Sequence, residues 1–495
     1  MGIIIRQSIK ATIVNYIGTG IGFLTTMFIV VRFLPTEIVG LTSVLLNAAL
    51  MFSSFAQLGI GSSAIRFFPY FKNPDKKHNG FFFYLVSIPL LGALIVGLCF
   101  LFLKGPVSDY FRENSDLFVD YYYWSIPFGC FLLYTVVFET YAAVLMRIAV
   151  PKMIKEIGFR LVLIVVYVLY GLHWITLNEF IACYVLAYGF TMLAIFYYVS
   201  RIGPVSLRHD RRYADKSLRK NFLSYTSLIV IGSLGGTLIS RIDTFMVSSN
   251  LGLSYTGIYT IALYMATVIE IPSRSITAIS SPLAAEALRT GDFGKANRLY
   301  RQVSLHQLIS GSLIFLLIWV NLDNIYAIIP QGDAYRAGRW VVCFIGISKL
   351  IEITLGFGGT MISYSRYYHW TLYFSFFITA LTIVSNNLLI PLYGITGAAL
   401  ATALTCLVSY GIQQGILFLK VKGNPYSLGM LKQAGLVVFL LGIDRLLPAL
   451  SSPWADAIYR SAVLMLAGLP LLYFLKISPE VNGLIRKVIR SVLRK

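Results

Sequence analysis

The sequence has little charge for its length. Only 13% of its 495 residues are Asp, Glu, Lys or Arg, whereas 57% are hydrophobic, and the mean hydropathy is +0.75. A soluble domain carries about 25% charged residues. This composition excludes an ordinary soluble protein and indicates a membrane protein.

Catalytic and cofactor signatures are also missing from the sequence. There is no GxxxxGK[ST] phosphate loop, which excludes an encoded ATPase module. The five His residues form no metal-ligand pattern, and the five Cys residues lie in apolar stretches, where they are typical of packing residues. No segment between apolar stretches is long enough for a catalytic domain. We therefore predict a protein that is not an enzyme and uses no metal or cofactor.

About fourteen apolar stretches are present instead, each close to the roughly 20 residues that cross a bilayer. Pro391 falls between two of them, where a missing backbone donor costs little. The sequence predicts an all-α membrane protein with spans at 10–31, 38–60, 81–103, 119–146, 154–171, 176–199, 221–249, 256–281, 303–320, 338–362, 369–390, 395–419, 430–448 and 457–475.

Positive charge follows an alternating pattern along the connecting segments. Lys and Arg concentrate on every second segment, above all in 201–220, whereas 104–118 and 321–337 mix both signs. Basic segments stay cytoplasmic, so both termini are predicted to be cytoplasmic. The net charge of +20 then lies beside anionic lipid and does not indicate nucleic-acid binding.

An internal repeat is visible when the chain is shifted by 217 residues. Gly18–Ala49 then aligns without a gap on Gly235–Ala266, with Gly40 on Gly257 among the identical pairs. The offset covers six predicted spans, so the copies would have the same orientation, as in parallel-repeat transporters. Chance similarity between apolar segments is the alternative. The predicted organisation is an N-lobe at 1–200, a basic linker at 201–220, a C-lobe at 221–419 related to the N-lobe by a pseudo-twofold axis, and two further helices with a tail at 420–495.

A few charged residues lie inside the predicted spans. A charge at the bilayer centre costs on the order of 3 kcal/mol, so each needs a partner or water. Spacing of three or four residues places partners on one helical face. At this spacing the candidate partners are Glu270 for Arg274, Glu352 for Lys349 and Glu156 for Arg160. Asp243 lies in the same predicted span as Arg241, while Glu139 has no partner within its own helix.

Two interpretations of these charges remain open. They are structural ion pairs between helices, or they line a hydrated cationic cavity for an anionic substrate. For the cavity, the substrate-binding candidates are Arg241, Arg274 and Lys349, with Arg32 and Arg66 at helix ends of the other lobe. The coupling or ion-pair candidates are Asp243, Glu270, Glu352 and Glu139.

Three stretches resemble the oligosaccharide flippase (polysaccharide biosynthesis protein, Wzx-type) branch of the MOP exporter superfamily. They are QLGIGSSAIRFFP at 57–69, RIDTFMVSSNLGLSYTGIYTIALYM at 241–265 and PLYGITGAALATAL at 391–404. The 6+6+2 arrangement with cytoplasmic ends is similar as well. The resemblance implies two lobes with alternating access around a cationic central cavity, in the bacterial inner membrane.

The resemblance also implies the cargo. The family moves a polyprenyl-diphosphate-linked oligosaccharide from the cytoplasmic to the periplasmic leaflet, for lipopolysaccharide O-antigen, capsule or exopolysaccharide. Partners would then be that lipid-linked oligosaccharide, membrane lipids, and a polysaccharide polymerase or glycosyltransferases. Two alternatives stay open: a MATE-like drug or cation antiporter, and an integral-membrane polysaccharide polymerase or ligase.

Overall fold

The computed structural model describes residues 2–73, 77–206, 241–365, 367 and 369–483. Within these ranges every regular element is helical. Most of the predicted basic linker and the first part of the predicted span 221–249 lie outside them. The prediction of an all-α membrane protein is confirmed.

Nine helical segments of the described chain are long and apolar enough to cross a membrane. They are Ile13–Phe33, Thr36–Phe71, His78–Phe102, Asp116–Val144, Leu177–Ile202, Phe293–Val320, Gly332–Tyr364, Tyr373–Val421 and Pro453–Phe474. Tyr373–Val421 contains two predicted spans. Helices also occupy the predicted spans 154–171, 256–281 and 430–448, so the helix count is compatible with fourteen.

The chain divides into two compact units, Met1–Thr260 and Ile261–Lys495. The predicted lobe limits at residues 200 and 220 are not tested by this division and stay a prediction. The main helices of the first unit are Gly2–Leu24, Thr36–Ala56, Ile60–Phe71, Phe81–Phe102, Lys104–Phe111, Asp116–Tyr121, Ser125–Val144, Ala149–Met153, Phe159–Gly171, Leu177–Ile202 and Ile242–Leu251, with π-helical turns at Thr25–Val30 and Ile154–Gly158.

The helix Leu253–Thr267 leads from the first unit into the second. The main helices of the second unit are Ile271–Arg289, Phe293–Val320, Leu322–Ile328, Gly332–Tyr335, Arg339–Leu355, Phe357–Tyr364, Trp370–Ile416, Leu428–Leu446 and Pro453–Phe474. Short 3-10 turns lie at Val268–Glu270 and Arg336–Gly338, and a π-helical turn at Leu417–Val421.

Two regions of the chain depart from the predicted span boundaries. Helix Thr36–Ala56 stops before Gly59, whose φ of 70° is left-handed, and a new helix Ile60–Phe71 follows. Arg66 therefore lies within a helix and not in a connecting segment. Trp370–Ile416 runs through Pro391 and is broken at Gly394, whose φ is 58°. The predicted boundary at 391–394 thus coincides with a kink.

The cores of both units are apolar and aromatic. In the first unit, Phe82 from one helix packs against Phe138 and Tyr141 from another, and the Phe82 and Tyr141 ring centroids are 5.1 Å apart. In the second, Leu305 and Leu316 pack against the helices Leu428–Leu446 and Pro453–Phe474. Many Leu and Phe side chains elsewhere remain exposed, as expected of surfaces that face lipid.

Residues related by the 217-residue shift contact one another. A Cβ on Gly40 would lie 1.9 Å from the Leu253 carbonyl oxygen, and a Cβ on Gly257 would lie 1.9 Å from the Thr36 carbonyl oxygen. Leu253 and Gly257 are the repeat equivalents of Thr36 and Gly40. Such reciprocal contacts are typical of two helices that cross at a twofold axis.

A side-chain pair follows the same relation. The Thr260 hydroxyl donates to the Ser43 hydroxyl at 2.9 Å, and these residues are also 217 apart. Helix Thr36–Ala56 therefore crosses its own repeat equivalent, Leu253–Thr267. This geometry supports a parallel repeat over chance similarity.

Candidate functional site

Arg241 lies at the start of helix Ile242–Leu251 and reaches a neighbouring helix. Its Nη1 donates a hydrogen bond of 2.7 Å to the Asn47 side-chain oxygen on helix Thr36–Ala56. Its Nε is buried and has no hydrogen-bond partner among the described residues. An unsatisfied buried N–H on a guanidinium is costly, so this group is suited to bind water or an anionic ligand.

Asp243, the predicted partner of Arg241, lies two positions further along the chain. Arg241 itself precedes the helix Ile242–Leu251, with a non-helical φ of −130°, so the helical spacing rule does not apply to this pair. The Tyr259 hydroxyl lies 3.4 Å from an Asp243 carboxylate oxygen and donates to it. Arg241 thus donates to the neutral Asn47, and this hydrogen bond does not compensate the guanidinium charge.

Lys349 lies at the centre of a charged cluster in the second unit. Its Nζ contacts Glu270 in a short ion pair and lies 2.8 Å from a Glu352 oxygen. The Lys349 and Glu270 side chains are 21% and 20% exposed. Glu270 itself closes the 3-10 turn Val268–Glu270 that separates two helices, and such turns often mark hinges. Because two carboxylates neutralise Lys349, its charge is already satisfied within the protein.

Arg274 belongs to the same cluster but is far more accessible. Its Nη2 lies 3.8 Å from a Glu270 oxygen, and its side chain is 73% exposed. The Glu270 carboxylate is shared with Lys349 at much closer range. Most N–H donors of the Arg274 guanidinium are therefore not engaged by Glu270.

Arg32 and Arg66, the weaker candidates, are exposed. Arg32 lies at the end of helix Val31–Phe33, with its guanidinium 5.7 Å from the Phe33 ring. The Arg66 guanidinium lies 5.7 Å from the Phe67 ring. Both arginines belong to the first unit, whereas Arg274 and Lys349 belong to the second.

Glu139 has a partner that spacing alone missed. Lys155, on the π-helical turn Ile154–Gly158, lies 2.9 Å from a Glu139 oxygen. The neighbouring Glu156 pairs with Arg160 at 3.1 Å, as predicted from their spacing. A cavity of about 320 Å³ borders Lys155, Glu156 and Arg160, and one of about 330 Å³ borders Glu139 and Lys155. These charges thus line two cavities in the first unit, each large enough to hold several water molecules.

Sequence reasoning also missed an ion network in the second unit. Arg460 pairs with Asp444 and with Asp456, each at 2.6 Å. Asp444 and Arg460 fall within the predicted spans 430–448 and 457–475, and the structure places both of them and Asp456 in the helices Leu428–Leu446 and Pro453–Phe474. The four-residue spacing of Asp456 and Arg460 was the available signal.

Solved structures share this fold across nearly the whole chain. A structure described as "Lipid II flippase MurJ, inward closed conformation" has 11% sequence identity, a TM-score of 0.72, and covers 95% of this chain and 100% of its own. An inward-facing multidrug resistance MATE family transporter of the MOP superfamily has 13% identity, a TM-score of 0.61, and covers 82% and 94%. The fold is therefore that of MurJ and MATE transporters, and the protein is a multi-pass membrane protein.

The family is shown by the sequence itself. A family model described as "Polysaccharide biosynthesis protein" matches residues 4–286, more than half of the chain. The chain belongs to the polysaccharide biosynthesis protein family, as the sequence motifs predicted. A search of curated proteins gives no match.

Proposed function

We propose that the protein moves a polyprenyl-diphosphate-linked oligosaccharide from the cytoplasmic to the periplasmic leaflet of the bacterial inner membrane, by alternating access. The product would serve lipopolysaccharide, capsule or exopolysaccharide synthesis. The observation that carries this proposal is the family match over residues 4–286, combined with a flippase fold over 95% of the chain. Both termini would be cytoplasmic, and the protein would carry out no chemical step.

The charged groups support a diphosphate as the anchor of the cargo. A diphosphate that leaves water needs donors, and a guanidinium can supply two parallel hydrogen bonds to its oxygens. The buried Nε of Arg241, which has no hydrogen-bond partner among the described residues, and the exposed guanidinium of Arg274 are suited to this role. Lys349 differs, because Glu270 and Glu352 already neutralise it. We assign Lys349 to positioning Glu270, and Arg241 and Arg274 to phosphate contact.

A drug or cation antiporter is the second candidate, and the likeness to the MATE transporter favours it. Such a transporter needs carboxylates that are available to a cation. Here Glu139, Glu270 and Glu352 each form an ion pair with a lysine. The pairing favours an anionic cargo. A polymerase or ligase has less support, since no described connection between spans is long enough for a catalytic domain.

The test is transport by purified full-length protein in liposomes that contain a polyprenyl-diphosphate-linked oligosaccharide. Access of an added lectin to the sugar reports movement across the bilayer. We expect Arg241→Ala to slow movement roughly ten- to hundredfold, since a hydrogen bond to a charged group contributes about 1.5–3 kcal/mol. Arg241→Lys keeps the charge but loses the planar fork, so it should be intermediate.

Two controls separate binding from stability. Arg336→Ala removes an arginine that is 55% exposed and paired with an exposed Asp333, so transport should not change. Glu270→Gln with Arg274→Met keeps side-chain size, so it should remain stable while transport falls. In a strain that lacks the gene, the Arg241→Ala/Arg274→Ala protein should fail to restore surface polysaccharide. Full restoration would exclude phosphate binding by these residues. Dye efflux driven by an ion gradient, without movement of the lipid, would favour the antiporter.

A further inference from the structure

A polar cavity in the second unit lies apart from the residues assigned above to phosphate contact. Its volume is about 640 Å³, within the range of small-molecule sites. It lies where the helices Phe293–Val320 and Leu428–Leu446 end and where Arg339–Leu355 and Pro453–Phe474 begin. The charge pattern of the sequence assigns this end of the unit to the periplasmic side.

The floor of the cavity is a fixed set of planar polar groups. Arg460 is only 14% exposed and is held by Asp444 and Asp456 at 2.6 Å each. The Asn324 amide donates to Asp456 at 2.6 Å, and the Leu450 backbone N–H donates to its other oxygen at 2.9 Å. These groups are positioned before any ligand arrives, which reduces the entropic cost of binding.

The wall of the cavity is aromatic. The Trp319 and Trp340 rings have centroids 5.8 Å apart, and Trp340 is 52% exposed. The Arg339 guanidinium lies 5.5 Å from the Trp319 ring and pairs with Asp323 at 3.1 Å. An open indole face beside fixed hydrogen-bonding groups can accept a ligand that has one apolar face and a polar edge.

The formal charges that border the cavity cancel. The three acidic groups are Asp323, Asp444 and Asp456, and the three basic groups are Arg339, Arg445 and Arg460. A net anionic or cationic ligand gains little from such a balanced lining. A neutral ligand rich in hydroxyl groups fits better, because each hydroxyl donates to a carboxylate and accepts from a guanidinium or an amide.

We propose that this cavity binds a neutral saccharide, with a pyranose ring packed on Trp340 and its hydroxyls against the Asp444–Arg460–Asp456 floor. The C–H face of a pyranose is apolar and its rim carries hydroxyls, which matches this wall and floor. The inference rests on the proposed function, in which the cavity would hold the sugar portion of the cargo on its exit side. It adds a glycan contact that is separate from the diphosphate contact.

The test is saturation-transfer NMR of the full-length protein in detergent, with maltotriose and triacetylchitotriose as probes. We expect saturable transfer to at least one probe from the wild-type protein. Trp340→Ala should weaken it roughly five- to tenfold, because an aromatic contact contributes about 1 kcal/mol. Trp340→Phe should retain most binding. Trp454→Ala, which removes a 59% exposed tryptophan that does not line the cavity, should have no effect.

The alternative role of Trp340 is that of an interfacial anchor, because tryptophan is enriched at membrane–water interfaces. Equal binding by wild type and Trp340→Ala would overturn the proposal, as would the absence of saturable transfer from wild type to either probe. The proposal would also be overturned if Trp340→Ala reduced the amount of protein in the membrane but left saccharide binding per protein molecule unchanged. Transport without saccharide binding would refute this inference alone, whereas binding without transport would refute the proposed function.

Discussion

Gly40 and Gly257 provide the sharpest prediction because each faces the backbone of the other's helix. The perturbation is one methyl group, in Gly40→Ala or Gly257→Ala. The added Cβ would lie 1.9 Å from a carbonyl oxygen in each case. A carbonyl oxygen inside a helix cannot move aside as a side chain does, so the two helices must separate by roughly 1 Å or more.

Two effects of opposite sign set the magnitude. Overpacking a rigid contact costs typically about 1–3 kcal/mol, and a backbone clash belongs at the upper end. Ala is a better helix former than Gly by about 1 kcal/mol. The clash outweighs the propensity, so each single substitution should destabilise the protein by about 2 kcal/mol.

The double substitution is the stricter test. Once one methyl group has separated the helices, the second meets a contact that is already open. We expect the Gly40→Ala/Gly257→Ala protein to lose at least about 1 kcal/mol less than the sum of the single losses. Unfolding in mixed detergent–SDS micelles, followed by intrinsic fluorescence, measures these free energies.

Gly20→Ala is the matched control, since no atom of the described residues lies within 4 Å of the Cβ that it would add. It should be neutral or slightly stabilising. If Gly40→Ala and Gly257→Ala change the free energy of unfolding no more than this control does, the two helices do not need glycine at their crossing. Strict additivity in the double variant would likewise refute a shared contact at one axis.

Two further predictions concern charge. Lys349→Met leaves the Glu270 and Glu352 carboxylates without their shared cation. We expect it to lower the free energy of unfolding by about 3 kcal/mol. This is the lower end of the range for breaking a buried ion pair, because Glu352 is 43% exposed. Adding Glu270→Gln to Lys349→Met should restore much of the lost unfolding free energy. If it restored none, the proposed interaction between Lys349 and Glu270 would be contradicted. For topology, in a variant without native cysteines, a Cys at the exposed Asp109 should react with an impermeant maleimide in whole cells, whereas a Cys at the exposed Arg201 should not. The reverse labelling would invert the orientation.

Local spacing in the sequence predicted the contacts that lie within one helix. Glu156–Arg160, Glu270–Arg274 and Lys349–Glu352 all form, at 3.1, 3.8 and 2.8 Å. Residues three or four apart share a helical face whatever the tertiary fold. Span positions were also predictable, because length and hydropathy are properties of the chain alone.

Contacts between helices could not be predicted in the same way. Glu139 meets Lys155 and Glu270 meets Lys349 only because helix packing brings distant segments together. The partner of Arg241 is the neutral Asn47, which no rule of charge pairing selects. The π-helical turn that carries Lys155 is likewise set by packing, since nothing in its sequence distinguishes it from an α-helix.

The crossing of Thr36–Ala56 and Leu253–Thr267 has a consequence for the ancestry of the chain. In a homodimer with twofold symmetry, a residue on the axis touches its own copy, so one mutation alters the interface twice. The pairs Gly40 with Gly257 and Ser43 with Thr260 have this self-facing geometry within a single polypeptide. A gene duplication that fused two such protomers would free the two halves to diverge. Thr36 and Leu253 differ in this chain, whereas the two positions of closest backbone approach are both glycine, where an added Cβ would clash.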